Sequence, residues 1–394
     1  MKVAKIHARI IYDSRGNPTI ETDVFLENGV LGRASVPSGA STGINEAVSI
    51  DASEAVLNVN NKLDKELTNL ELDQKELDQI MINLDGTENK SNLGANAILS
   101  VSLSFAKAAA SFENIPLYKY IGNLAGNNKF ILPLPLINII NGGAHADFGT
   151  DFQEFMIVPN GASSFSEGIL WGTKVFQELK TILKTNGLST TVGDEGGFVV
   201  KGGNGQALEF IKSAIQNSNF KLGRDISLAL DVAASQLNKS SEELIETLVR
   251  YCGQYPIISI EDGLSETDWA GWVKLTEKLG NKIQLVGDDL LVTNIKFLKR
   301  AISEKAGNAI LIKPNQVGTL TETIQTVQMA KNAGWKTIIS HRSGETEDTF
   351  ISHLAVGLAA EQIKAGSLSR TDRVAKYNEL LRIEEEIGER AWHT

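Results

Sequence analysis

Apolar and polar positions alternate in three short runs near the start of the chain, 3–12, 19–26 and 30–36, all rich in β-branched side chains. Asn17-Pro18 and Asn28-Gly29 supply turn chemistry between them, so the pattern predicts three strands. A Gly/Ser/Thr loop follows, Pro37-Ser-Gly-Ala-Ser-Thr-Gly43. The period then lengthens to that of a helix over 46–67, 74–84, 96–112 and 117–124. Strands followed by helices make a small α+β unit. The run Gly126-Asn-Asn-Lys129 is the natural boundary, which divides the chain into an N-terminal α+β capping domain, 1–126, and a second domain, 127–394.

Beyond that boundary short apolar runs alternate with helix-sized segments. The runs fall at 135–140, 154–158, 226–230, 257–260, 283–286, 309–312, 337–339 and 361–363. Eight of them fit an α/β architecture closed into a parallel-type (β/α)8 barrel. The first two are joined by a loop instead of a helix, so an irregular opening is expected. An open doubly wound sheet is the alternative, weakened because no GxGxxG or Walker loop follows a strand. Lys201-Gly-Gly-Asn-Gly reads as a flexible loop. The most apolar stretch, 93–112, is broken by Asn96, Ser100, Ser102, Ser104 and Lys107, and reads as a buried helix instead of a membrane span.

Composition narrows the function. The 394 residues carry 38 Lys plus Arg against 48 Asp plus Glu, a net charge of −10. That balance argues against nucleic acid as a partner and leaves a small-molecule substrate open. The single cysteine, Cys252, allows no intrachain disulfide and no thiolate metal cluster. The first residues show no long apolar leader, and a cytoplasmic location is expected.

Polar residues recur where the predicted barrel strands end. The successive strands finish on Asp231, Glu261, Asp288, Lys313, His341 with Arg342 and Ser343, and Lys364. In a barrel these ends share one face, the face that carries active sites. One acidic residue after a strand could cap the following helix; three in succession, followed by two lysines and a His-Arg pair, form a site. Three carboxylates make a hard oxygen cage suited to Mg2+. A lysine desolvated beside another cation is expected to have a lowered pKa and to serve as a base toward a proton next to a carboxylate. Glu195, in the Gly193-Asp-Glu-Gly-Gly197 turn, could protonate a leaving hydroxyl. Glu154 could hold Glu195 or Lys313 in place. His7, His353, His393, Cys252 and the tryptophans Trp171, Trp269, Trp272 and Trp335 read as packing or surface residues, and the charged helix 372–389 as a solvated face.

Taken together, these runs resemble the enolase family over nearly the whole chain. The resemblance rests on Asp13-Ser-Arg-Gly-Asn-Pro18, the 37–43 and 193–197 loops, Ser259-Ile-Glu-Asp-Gly263, Gly287-Asp-Asp-Leu290, Ser340-His-Arg-Ser-Gly-Glu-Thr346 and Gln362-Ile-Lys-Ala-Gly366. It implies reversible dehydration of 2-phosphoglycerate to phosphoenolpyruvate, with two Mg2+ per site. By resemblance, Asp231, Glu261 and Asp288 hold the first ion, and Ser41 helps hold the second. The family pairs a lysine base with Mg2+; Lys313 matches that base and Glu195 the acid. Arg342 and Ser343 match a phosphate grip, and His145, Glu154, His341 and Lys364 match substrate-contacting positions. A homodimer or larger ring of dimers is implied.

The chain also departs from the family pattern. It is shorter than usual and looks trimmed after the Ser41 loop and at Ser235–Ser240. Phe198-Val-Val-Lys-Gly-Gly203 stands where Ala-Pro-Asn is usual, and Phe148 where Asn is common. Two alternatives stay open: another barrel enzyme that abstracts an α-proton from a different acid, and a non-catalytic interaction protein derived from an enolase. Some enolases bind host proteins through C-terminal lysines; the ending Ala391-Trp-His-Thr394 lends that role no support.

Overall fold

A computed structural model describes residues 1–39, 43–143, 149–388 and 391–392. The predicted N-terminal strands form as β1 (Val3–Tyr12), β2 (Pro18–Leu26) and β3 (Leu31–Ser35), an antiparallel sheet in the order β1-β2-β3. The Asp13 carboxylate accepts the backbone N–H of Arg15 and of Asn17, each at 2.9 Å, which turns β1 into β2. The apolar helix Ala95–Phe112 lies across this sheet, and 83% of its residues are buried in the protein. Its serines are not misplaced polar groups. Ser104 donates to the Thr22 carbonyl at 2.7 Å, and Ser100 shares a hydrogen bond with the Thr22 hydroxyl at 2.7 Å. The approach is close enough that a Cβ on Gly32 would meet the Ser104 carbonyl oxygen at 2.0 Å, so only glycine fits there.

Two helical expectations shift. The helix expected from 46 begins at Ala52, because Asp51 caps it by accepting from Ser53 and Glu54. Of the glycine-rich run at 201–205, Gly203-Asn-Gly205 opens helix Gly203–Asn217 instead of forming a free loop. Asn204 pins it by accepting the backbone N–H groups of Asp151 at 2.9 Å and Phe152 at 3.1 Å.

The second unit contributes β4 (Leu134–Asn141), β5 (Glu154–Val158), β6 (Phe198–Val199), β7 (Ser227–Asp231), β8 (Ile257–Glu261), β9 (Gln284–Gly287), β10 (Ala309–Ile312), β11 (Lys336–Ser340) and β12 (Gln362–Lys364). Eight of these close a ring in the order β12-β11-β10-β9-β8-β7-β5-β4, with β12 pairing back to β4. The two-residue β6 adds to β4 outside the ring. The irregular opening is present, and the barrel is not all parallel: β5 runs antiparallel to both β4 and β7. Antiparallel neighbours need no crossover helix between them, and twelve residues, 142–153, separate β4 from β5. Inward-facing Leu136, Met156, Val158, Ala229, Val286, Ala309, Leu311 and Ile338 fill the barrel as a cluster separate from the main core. Truncating one of them, such as Leu311, to alanine costs about 2–5 kcal/mol.

The N-terminal unit is bolted to the barrel by polar contacts. Asp78 accepts both the backbone N–H and the hydroxyl of Thr321, at 2.9 and 2.6 Å, at the start of helix Leu320–Asn332. Lys107 pairs with Asp348 at 2.7 Å, and Lys90 with Glu322 at 2.9 Å.

Candidate active site

The strand ends meet as the alternation requires, with one addition from topology. Asp231 and Glu261 are register partners at the ends of β7 and β8. Glu154 is the first residue of β5, yet because β5 is antiparallel it is the register partner of Asp231 and lies at the same mouth. Lys364, the last residue of β12, extends its ammonium among all three, 3.1 Å from Glu154, 3.0 Å from Asp231 and 2.8 Å from Glu261. Burial opposes the charge on Lys364, but Asp231, Glu154 and Glu261 hold its pKa well above the ordinary value.

Asp288 follows β9 and pairs with the ammonium of Lys313, which follows β10; it also accepts from Gln316 Nε2 at 2.9 Å. Burial pulls the Lys313 pKa down, but the charge of Asp288 outweighs it, and the net direction is up. The expected lowering by a neighbouring cation is therefore overturned: Arg342 and Lys364 do push Lys313 down, but Asp288 is in direct contact with it. Behind this pair, Asp262 accepts the backbone N–H groups of Asp288 at 2.9 Å and Asp289 at 3.0 Å.

Further round the ring, Glu195 sits buried in its turn. Asn138 and Asn141, both on β4, donate to its Oε2 at 3.1 and 3.3 Å. Asn141 also accepts the Gly197 N–H at 2.9 Å, which braces the turn. A nitrogen of His341 lies within 4.8 Å of carboxylate oxygens of Glu154 and Glu195. Burial and the adjacent Arg373 hold the His341 imidazole well below its usual pKa, so it is neutral. Arg342 forks onto Glu46, and its Nη1 also donates to Asn315 Oδ1 at 2.9 Å. Ser343 lines the same cleft. Ser41, His145 and Phe148 lie outside the described residues.

The cleft is lined by six carboxylates against three cationic side chains. The imbalance shows in the titrations. Burial, then the charges of Asp231 and Asp288, push Glu261 up to about 8. Burial, then Asp288, push Asp289 up to about 7. Glu154 and Asp262 are raised well above the carboxylate range, chiefly by burial. A site this rich in mutually repelling carboxylate oxygens fits a hard divalent cation such as Mg2+. Among the described residues Asp262, Asp288 and Asp289 bring oxygens within 4.8 Å of one another. Asp231 and Glu261 face Lys364 instead, and the convergence of three carboxylates on that ammonium shows that they can surround one positive centre.

Several residues here were not singled out from sequence. Asn138 and Asn141 are polar positions inside an apolar strand, a signal that could have found them. Asp262 and Asp289 adjoin their predicted neighbours. Glu46, Gln316 and Arg373 carry no local mark. Arg373 and Lys376, in a helix read as solvated, are fully buried. Of the residues set aside, His353 is indeed a packing residue, stacked on Tyr118 with ring centroids 6.4 Å apart.

An α+β cap on a barrel with one reversed strand, whose mouth gathers carboxylates around two lysines, defines an acid- and lysine-lined barrel enzyme. The chain belongs to the enolase family: residues 3–121 match the family's N-terminal domain and residues 129–394 its C-terminal TIM barrel domain. It is accordingly an enolase-superfamily lyase.

Proposed function

We propose that this protein catalyses the reversible, Mg2+-dependent dehydration of 2-phosphoglycerate to phosphoenolpyruvate, as a shortened member of its family serving glycolysis or gluconeogenesis in the cytoplasm. The observation that carries this reading is the division of the cleft. Lys313 follows β10 beside Asp288, and Glu195 is held by two asparagines of β4, three strands round the closed ring from β10. A base and an acid set apart in this way suit removal of a proton from one carbon and of a hydroxyl from the next.

Lys313 takes the C2 proton; Glu195 gives a proton to the C3 hydroxyl, which leaves as water. Glu154 and Lys364 hold each other and the substrate carboxylate side of the cleft. His341, Arg342 and Ser343, with His145 outside the described residues, bind and orient the substrate, Arg342 through its two-pronged geometry toward phosphate. Asp231, Glu261 and Asp288 would hold Mg2+, with Ser41 completing a second site. Metal bound there supplies positive charge to the dianion that forms when C2 loses its proton. We read 1–126 as the cap and 127–394 as the catalytic domain, and the assembly as a homodimer or ring of dimers.

The test is to add 2-phosphoglycerate with and without Mg2+ and follow phosphoenolpyruvate absorbance. A rise that requires the metal supports the reading. No product under any metal condition overturns it and favours a different α-proton abstraction.

A further inference from the structure

Arg373 comes from the C-terminal helix Thr371–Ile387 and lies with no exposed surface behind His341, which lines the cleft. Its Nη1 lies 2.5 Å from Nδ1 of His341. A guanidinium carries five N–H donors, offers no lone pair, and does not deprotonate in a protein. The ring nitrogen facing it must therefore accept. A neutral imidazole that accepts at Nδ1 keeps its single proton on Nε2. An imidazolium would set N–H against N–H and charge against charge.

Arg373 cannot turn away from this contact. The three remaining N–H groups of its two terminal nitrogens donate to the carbonyls of Arg342 at 2.5 Å, Ser343 at 2.6 Å and Asp194 at 3.0 Å. Gly366 makes room for it: a Cβ there would meet Arg373 Cδ at 2.8 Å. One side chain thus ties together the two loops that carry His341 and Glu195.

We propose that Arg373 is a positioning residue that locks His341 as a neutral, Nε2-protonated donor, reserving the corner between Glu154, Glu195 and His341 for an acceptor oxygen of the substrate and closing it to metal ions. By distance alone that corner resembles a cation site, since ligand atoms of all three lie within 4.8 Å and Glu154 Oε2 is buried with no hydrogen-bond partner. An imidazole ligand needs a free lone pair, however. Here the only lone pair points at Arg373, and Nε2 is occupied by its proton. Cations are left to the carboxylates around Asp288. The lock stands on geometry alone; the substrate half rests on the proposed dehydration.

The test is 15N-detected NMR of histidine-labelled wild-type protein at neutral pH, with His341 assigned from the spectrum of His341→Gln. A neutral ring protonated at Nε2 is expected; a ring protonated at Nδ1, or at both nitrogens, overturns the proposal. Co2+ titration gives an independent arm. Wild type and His341→Gln should show the same Co2+ absorption bands, and bands that vanish in His341→Gln overturn the closed corner. Arg373→Met should admit the Nδ1-protonated form and lower kcat by about 10–100-fold with a smaller change in KM, while Arg373→Lys, which keeps a donor, restores the Nε2 proton and most of kcat. An unchanged ring in Arg373→Met refutes the lock. If Arg373→Met does not fold, the wild-type spectrum and Arg373→Lys decide. If wild type does not turn over 2-phosphoglycerate, the dehydration reading fails, and the NMR and Co2+ arms still judge the lock.

Discussion

Arg342 of the barrel and Glu46 of the N-terminal unit meet fork to carboxylate, Nη1 3.0 Å from Oε2 and Nη2 3.2 Å from Oε1. Both side chains are almost fully buried. A guanidinium fork fits a phosphate as well as a carboxylate. The residue proposed to grip the substrate phosphate is therefore already held by an acid from the other domain. This pair couples the fit of the cap to the occupancy of the site.

Glu46→Gln removes the charge and leaves Arg342 buried without its counter-ion. Breaking one partner of a buried pair costs about 3–5 kcal/mol, so the melting temperature of the free variant should fall. A phosphorylated acid would then replace the missing charge. The rise in melting temperature on adding 2-phosphoglycerate should be larger in the variant than in wild type. Equal rises would separate Arg342 from phosphate binding.

Lys313→Ala should abolish exchange of the C2 proton with solvent and slow turnover by about 10²–10⁴-fold, the usual contribution of a general base. The measurement is deuterium incorporation into 2-phosphoglycerate. Wild-type exchange in this variant would remove Lys313 from the role.

Glu195→Gln keeps the size and the contacts to Asn138 and Asn141 but removes the transferable proton. C2 exchange should survive while formation of phosphoenolpyruvate falls by about 10²–10⁴-fold. Equal loss of both would mean that Glu195 only shapes the site.

The carboxylate cluster sets a pH dependence. Glu261 is raised from 4.5 to about 8 and Asp289 from 3.8 to about 7. Between the ordinary and the raised values the folded chain binds protons that the unfolded chain has lost, so stability falls as pH rises. Full stability from these groups is present below about pH 4 and is lost through pH 7 to 8. Protein treated with EDTA should melt at a lower temperature at pH 8 than at pH 6. Mg2+ competes with the same protons, so its stabilising effect should grow over that interval, reaching about 3 kcal/mol at a concentration 100 times its Kd. A metal effect that is flat with pH would place the ion elsewhere.

Much of this was legible from the chain. The period-two and period-3.6 patterns are local consequences of which face each element buries, and β1, β5 and β10 match their expected bounds to the residue. The acidic and basic residues at strand ends could be read because a closed barrel brings such ends to one mouth whatever the loops between them.

The sequence by itself determined the elements, the barrel and most of the side chains at its mouth, because hydrophobic periodicity and strand ends are written in neighbouring residues. Only the tertiary structure decided what those side chains do to one another. The reversal of β5 brings Glu154 beside Asp231. Asp288 raises Lys313 where a lowering was expected. Glu46 and Arg373, one from each end of the chain, set Arg342 and His341. Each of these is a contact across large sequence separation, and electrostatic and hydrogen-bond energies depend on ångström distances that no local pattern encodes.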